Sequence, residues 1–490
     1  MDFYNDDARL STDEEFISGL SARGMNEICS ASGVPLQCDG KLVYTDDSDS
    51  HTLIFGNTGS KKTRNFCIPS VYTLASANET MVISDPKGEI YENTSGYLAE
   101  MGYRIQIINL RDPGSGSKWN PLALPFRYYK NGEEDKAIEL ITDFATQLKS
   151  RVHSERDRYW EEQAADLLVG IILILFECEN DEEKVHMSSV EALRMHIHLQ
   201  DTDGASNVFW ELIESFPEDS LVRFKLASIY SLRRTDRTLP CILSTLDTMI
   251  NVFTFNHKLM NMMNVSEVDF DRIAEEKTAL FLIIPDEKLT YHFLVSVFVK
   301  QCYEQMIARA YASENRMLSR RLNFVLDEFS NFPKINDMPS MISAARSRNI
   351  RFILVVQSRQ QLGALYQNDA ETIKSNCRNW IFLTCREIEL LREISDICGT
   401  VVINDRPRPL LSINRLQRLS IGWEDSEALI LRGQLPPHIA SVKDFSCYPQ
   451  ASIPPVIPER RTFTKAKIFS PSDYLYRKLK ESITRRLHEF

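Results

Sequence analysis

Residues 52–64 read Thr-Leu-Ile-Phe-Gly-Asn-Thr-Gly-Ser-Lys-Lys-Thr-Arg, and this run decides the fold class. A short apolar, β-branched segment ends at Gly56. A helix-compatible stretch, Phe66–Ala75, follows the loop. Strand, glycine-bearing loop and helix in immediate succession form the context of a phosphate-binding loop, because loop N–H groups and the helix N-terminus together surround an anion. The candidate contacts are Gly56, Asn57, Thr58, Gly59, Ser60, Lys61, Lys62, Thr63 and Arg64. Lys62 is expected to reach the β and γ oxygens, and Thr63 to ligate Mg²⁺. Lys61 stands where the usual pattern has glycine. A positive φ there would cost roughly 1–2 kcal/mol, and its ammonium is expected to add positive charge near the triphosphate.

A second strand signal, Arg321-Leu-Asn-Phe-Val-Leu326, runs into Asp327-Glu328. An apolar strand ending in two acids suits a Walker-B arrangement. Asp327 would hold Mg²⁺, and Glu328 would orient and polarise the attacking water. A solvated strand-end carboxylate is the competing reading for Glu328. The next strand, Arg351–Val356, ends in Gln357-Ser358. Its glutamine would lie beside those acids, at the edge where α/β ligands bind; capping the following helix is its alternative role. Between these strands, Arg346 and Arg348 are candidates to cross a subunit interface as a finger, against the plainer reading of a solvated helix end. Ser84-Asp85-Pro-Lys87-Gly-Glu89 is a turn at another strand end.

Apolar runs recur at Thr52–Phe55, Met81–Ser84, Ile105–Leu110, Ala279–Ile284, Phe324–Leu326, Phe352–Val356 and Ile381–Leu383. Most are continuous, so they fit strands covered on both faces. Helix-compatible segments lie between most of them, including Tyr91–Met101, Phe293–Ala310 and Ile335–Arg348. The fold class is therefore α/β, a mostly parallel sheet flanked by helices. From Pro121 to Asp271 the pattern turns helical: Asp135–Lys149, Tyr159–Cys178, Ser188–His198, Asn207–Ser215, Ser220–Ile229 and Leu239–Phe253. The expected organisation is an acidic segment 1–48, a nucleotide-binding domain 49–120 and 272–447, an inserted all-α domain 121–271, and a proline-rich, then basic, tail 448–490.

The 490 residues are 43% hydrophobic and 26% charged, which excludes wholesale disorder. A net charge of -11 argues against a surface that coats duplex DNA throughout. No Cys-x-x-Cys pair occurs among the ten cysteines, which disfavours a zinc ribbon. Leu167–Phe176 is the most apolar stretch and is too short to span a bilayer. A cytoplasmic chain is expected, without a transmembrane helix or signal peptide, peripheral at the inner face of the membrane at most.

Taken together, His51–Arg64, Ser84–Glu89, Trp119-Asn-Pro121, Phe324–Asn331, Ile342–Arg348 and Val355–Ser358 resemble the TraG/TraD-type coupling proteins of conjugation and type IV secretion. These belong to the FtsK/HerA-like branch of RecA-like P-loop ATPases. The resemblance implies ATP and Mg²⁺ as cofactors, Gln357 as the motif glutamine, and Arg346 as the better trans-acting finger, with Arg348 the alternate. It implies a homo-hexameric ring engaging DNA, single-stranded and with a relaxase, together with type IV secretion components. Family members usually begin with transmembrane helices, whereas this chain begins acidic. It would be a soluble branch, or one that docks on a separate membrane subunit. Two other functions fit the same residues: an ATP-binding recruitment platform with little hydrolysis, and an FtsK-like DNA pump outside conjugation.

Overall fold

The structure is a computed structural model, and it describes residues 8–152, 158–197, 207–235, 237–463 and 465–488. The chain divides into two compact units. One is Met1–Arg111, Asp269–Val295 and Cys302–Pro458; the other is Asp112–Val268, Ser296–Gln301 and Glu459–Phe490.

The first unit is built on a sheet that is nine-stranded among the described residues. Its N-terminal part first forms a small antiparallel sheet from β1 (Ser21–Gly24), β2 (Pro35–Cys38) and β3 (Leu42–Thr45). The strands of the large sheet follow: β4 (His51–Phe55), β5 (Thr80–Asp85), β6 (Arg104–Asn109), β7 (Thr278–Ile283), β8 (Leu322–Leu326), β9 (Ile350–Val356) and β10 (Cys377–Phe382). These are the seven apolar runs, and they pair with one another in parallel. β4, β5, β7, β8 and β9 are buried at every position. That explains why they read as continuous runs rather than as alternating ones. An exposed hairpin, β11 (Thr400–Ile403) and β12 (Arg406–Pro409), precedes two further strands, β13 (Asp425–Arg432) and β14 (His438–Lys443). These two extend the large sheet antiparallel, giving the order β14-β13-β10-β4-β9-β8-β5-β7-β6. On one face, Ile54, Ile83, Val325, Ile353 and Ile381 share a core with Ile68, Val71 and Leu74 of the helix Ile68–Ser76 and Leu98 of the helix Glu89–Glu100. Burying each such side chain contributes about 1.5–3 kcal/mol.

Several expectations are corrected here. The acidic N-terminal segment folds with the first unit, and its Phe16, Val34, Leu36 and Val43 join the same core. Three of its acids, Asp2, Asp6 and Asp7, lie outside the described residues. The helix expected over Ile335–Arg348 is confined to Met338–Ala345. It is preceded by Asp337 at φ 60° and followed by a tighter turn and Asn349 at φ 61°, both left-handed and incompatible with continuing helix.

The second unit is helical. Its long helix Arg158–Cys178 buries the run Leu167–Phe176 completely against the helices Glu134–Lys149, Leu221–Ser231 and Thr238–Thr254. Gly170 allows the closest approach, since a Cβ there would lie 2.2 Å from Leu226 Cδ2. Among the described residues no helix is long and apolar enough to cross a membrane. Met187–Ile197 ends one residue before His198, which lies outside the described residues. The expected tail contains a helix, Pro471–His488, that packs on Val208–Glu214; Lys478 Nζ donates to the Ser215 carbonyl at 2.6 Å.

At the amino edge of the large sheet, opposite the loops that follow the strands, lies a buried polar network. Arg351 donates to Glu79 Oε2 and to Asn323 Oδ1, both at 2.8 Å, and Asn323 Nδ2 donates to Glu79 Oε2 at 2.8 Å. The Arg351 and Glu79 side chains are 3% and 6% exposed, so losing one partner strands the other in a dry interior. Glu79→Ala is therefore expected to lower unfolding free energy by about 3–5 kcal/mol. Denaturant titration checks this, and a loss below about 1 kcal/mol would mean that water reaches Arg351.

Candidate nucleotide site

The loop after β4 is shaped by two residues with positive φ, Gly59 at 82° and Lys61 at 63°. At Gly56 a Cβ would crowd the side chains of Ser60 and Lys62, so glycine leaves room for both. After Lys62 the chain forms a π-helical turn, Thr63–Cys67, which leads into the helix Ile68–Ser76. Lys62 is buried. Its ammonium donates to the carbonyls of Gly56 at 2.6 Å and Asn57 at 3.2 Å, and lies 4.0 Å from Glu328 Oε1.

β8 lies two strands from β4, with β9 between them, so the strand ends converge on one edge. Thr63 Oγ1 donates to Asp327 Oδ2 at 2.7 Å. Gln357, at the end of β9, donates from Nε2 to Glu328 Oε2 at 2.6 Å, and Thr58 Oγ1 donates to Gln357 Oε1 at 3.5 Å. Glu328 itself sits at φ 55°, a left-handed conformation that a non-glycine residue holds only when its surroundings enforce it. These side chains, with Asp85, Lys87, Glu89, Asp286 and Asn331, line a cavity of about 220 Å³.

The cavity is strongly acidic. Burial pushes the Asp327 carboxyl up to about 6, with the Glu328 charge adding to the effect and the Thr63 hydrogen bond opposing it. Burial raises Asp85 to about 7, against backbone hydrogen bonds from Tyr91 and Ile90. Asp85 Oδ2 accepts from Tyr91 N–H at 2.8 Å and so secures the start of the helix Glu89–Glu100. The Asp-Pro-Lys-Gly turn announced a position at this edge; nothing local in the sequence marked Asp286 as a neighbour of this site.

Lys61 departs from expectation. Its ammonium does not face the cavity. It donates to the carbonyls of Gly422 at 2.8 Å and Trp423 at 2.9 Å, and lies 3.5 Å from Asp444 Oδ2. The added charge near a triphosphate is therefore spent on a tether to the segment before β13. Arg64 points the same way, with Nε and Nη2 each 2.7 Å from the Asp444 carboxylate. Burial alone would raise the Asp444 carboxyl, but the hydrogen bonds from Arg64 and Ser446 outweigh it and hold it below the usual range. Arg346 is not brought to the cavity of its own chain. It lies at the opposite edge of the sheet, where Nη2 is 3.2 Å from Asp49 Oδ1. Arg348 packs nearby over the Tyr311 ring at 5.6 Å.

Comparison with known proteins gives a consistent picture. A family model described as type IV secretory system conjugative DNA transfer matches residues 7–417. No curated protein sequence matches the chain. Among solved structures, the bacterial conjugative coupling protein TrwBΔN70 in an unbound form superposes with a TM-score of 0.61 at 15% identity, covering 89% of this chain and 93% of that one. TrwB with the ATP analogue ADPNP superposes at 0.59 and 15%, covering 94% and 97%, and TrwB with ADP and Mg²⁺ at 0.57 and 14%, covering 93% and 95%. The shared fold is that of a RecA-like P-loop NTPase.

Two effects compete at Lys61. Replacing it with glycine relieves left-handed strain of roughly 1–2 kcal/mol, while removing charge-assisted hydrogen bonds worth about 1.5–3 kcal/mol. Lys61→Gly is expected to be less stable than the parent by about 1 kcal/mol. A gain in stability on denaturant titration would show that the strain at Lys61 outweighs the tether.

Proposed function

This chain belongs to the type IV secretory system conjugative DNA transfer family, and on that premise we propose that it is a coupling ATPase. It binds ATP with Mg²⁺ at Gly56–Arg64 and uses hydrolysis to deliver DNA, single-stranded and bound to its relaxase, to a type IV secretion system. It works as a homo-hexameric ring at the cytoplasmic face of the membrane, against secretion components and a separate membrane subunit. The observation that carries this reading is the 2.7 Å contact between Thr63 and Asp327, which puts a hydroxyl and a carboxylate from two distant motifs at one point.

That pair fits Mg²⁺, a hard cation that takes one or two carboxylates and otherwise phosphate and water oxygens. Ser60 Oγ in the same loop is buried without a hydrogen-bond partner, as a group awaiting a ligand would be. Thr63 and Asp327 would hold the ion, which when bound offsets charge on the β and γ oxygens. Lys62 exchanges its loop carbonyls for phosphate oxygens. Glu328 holds the attacking water and receives its proton, and Gln357 fixes that carboxylate through Oε2, leaving Oε1 for the water. Arg346, exposed at the far edge, acts on the neighbouring subunit's nucleotide.

The left-handed Lys61 favours a second reading in which nucleotide binds but turns over slowly. The DNA pump outside conjugation is set aside by the family match over residues 7–417.

ATPase assays with and without single- and double-stranded DNA test the proposal, and DNA stimulation is expected. Lys62→Ala should lose ATP binding; unchanged affinity would remove the phosphate-loop assignment. Glu328→Gln should keep ATP bound while turnover falls by roughly 100-fold or more, and parental turnover would reduce Glu328 to a strand-end acid. Arg346→Ala subunits mixed with Lys62→Ala subunits should recover activity at shared interfaces. Mixed rings without recovery would remove the finger.

A further inference from the structure

The phosphate loop divides the carboxyl edge of the sheet. On one side of β4 the strands run β9, β8, β5 and carry Gln357, Asp327, Glu328 and Asp85. On the other side they run β10, β13, β14. A triphosphate whose γ end faces the acids and glutamine must send its α-phosphate, ribose and base the other way, past Arg64.

The feature waiting on that side is an aromatic platform. β13 runs antiparallel to β10, so the turn before it, Gly422-Trp423, rises at the carboxyl edge, as does Asp444 after β14. Trp423 is 82% exposed, yet its backbone is fixed from three directions. Its carbonyl accepts from Lys61 Nζ at 2.9 Å, the neighbouring Gly422 N–H donates to Asp425 O at 2.8 Å, and Asp444 N–H donates to Glu424 O at 2.8 Å. The Lys61 ammonium lies 5.5 Å from the indole centroid, which ties the ring's position to the phosphate loop. Asp444, which also faces Lys61, holds the partly exposed Arg64 guanidinium with its central carbon 4.4 Å from the Phe445 ring centroid.

We infer that Trp423, with the Arg64–Phe445 pair, forms the nucleoside subsite: the indole stacks on the base and the guanidinium faces the ribose and α-phosphate. The inference rests on the nucleotide reading above. It also gives Lys61 a role, since the tether that displaces a phosphate-facing charge is what holds the stacking residue in place. Stacking between a base and an aromatic side chain is sequence-tolerant, because every base offers a π-face. A ligand with the same phosphates and no base therefore separates this subsite from the loop.

The experiment is calorimetric titration of the full chain with MgATP and, separately, with magnesium tripolyphosphate, while tryptophan emission is followed. ATP should bind the parent more tightly than tripolyphosphate and should change the emission, which tripolyphosphate should not. Trp423→Ala should weaken ATP roughly tenfold or more, leave tripolyphosphate affinity as it was, and abolish the emission change. Trp423→Phe should keep most of the ATP affinity while also losing the emission change. Parental ATP affinity in Trp423→Ala overturns the subsite. So does an altered oligomer size with intact ATP affinity, which would make the indole an interface residue. A parent that binds neither ligand removes the phosphate-loop reading and the subsite with it. Binding of both ligands with equal affinity removes the subsite alone.

Discussion

One hydrogen bond, from Thr63 to Asp327, joins residues 264 positions apart, and the site depends on it. It forms because β4 and β8 flank β9 in a parallel sheet and all three end on the same side. Parallel pairing gives no freedom in this respect. Once the apolar runs are buried and in register, with Phe55 opposite Val356 and Leu326 opposite Leu354, the loops after them must meet. The polar chemistry at the edge is thus set by apolar packing in the interior.

Meeting there has an electrostatic cost. Asp85 and Asp327 are almost wholly buried, and Glu328 adds a third carboxylate. Burial raises the first two toward neutrality, so each retains a proton more readily than a solvated aspartate. A cation among these groups reverses that preference. Two left-handed residues stand at this edge, Lys61 in the loop after β4 and Glu328 after β8, and each is held by specific partners, the carbonyls of Gly422 and Trp423 for one and Gln357 for the other. Strain of this kind persists only where neighbours over-determine it.

Much of this was legible in the sequence, for a physical reason. Strands buried on both faces leave uninterrupted apolar runs, and helices that bury one stripe leave a 3.6-residue rhythm, so β4–β10 and the longer helices between Glu134 and Thr254 announce themselves, whereas Ala123–Lys130, His257–Met262 and Pro471–His488 do not. β13 and β14 do not. Asp-Ser-Glu opens the first, and Gly-Gln-Leu-Pro-Pro separates the two, so their apolar content is short and diluted. The four-residue strands of the small N-terminal sheet carry Arg23, Gln37 and Tyr44 among few apolar residues, and acidic composition masks them. The direction of the Lys61 side chain was illegible for another reason. Its acceptor, the Gly422 carbonyl, lies 361 residues along the chain, in the turn just before one of the strands that left no signal. Asp327, Glu328 and Gln357 were legible because each ends a strand that could be read.

The Arg346–Asp49 ion pair acquires a different meaning when followed along the strands it precedes. Asp49 stands just before β4 and Arg346 a few residues before β9, and these adjacent strands deliver Gly56 and Gln357 at their far ends. β9 is seven residues long, roughly 23 Å at about 3.3 Å per residue, and buried throughout. Two such rods, bonded side by side in a close-packed interior, transmit displacement rather than absorb it. The exposed ion pair at one edge and the loop and glutamine at the other are thus the two ends of one rigid, register-locked pair of strands.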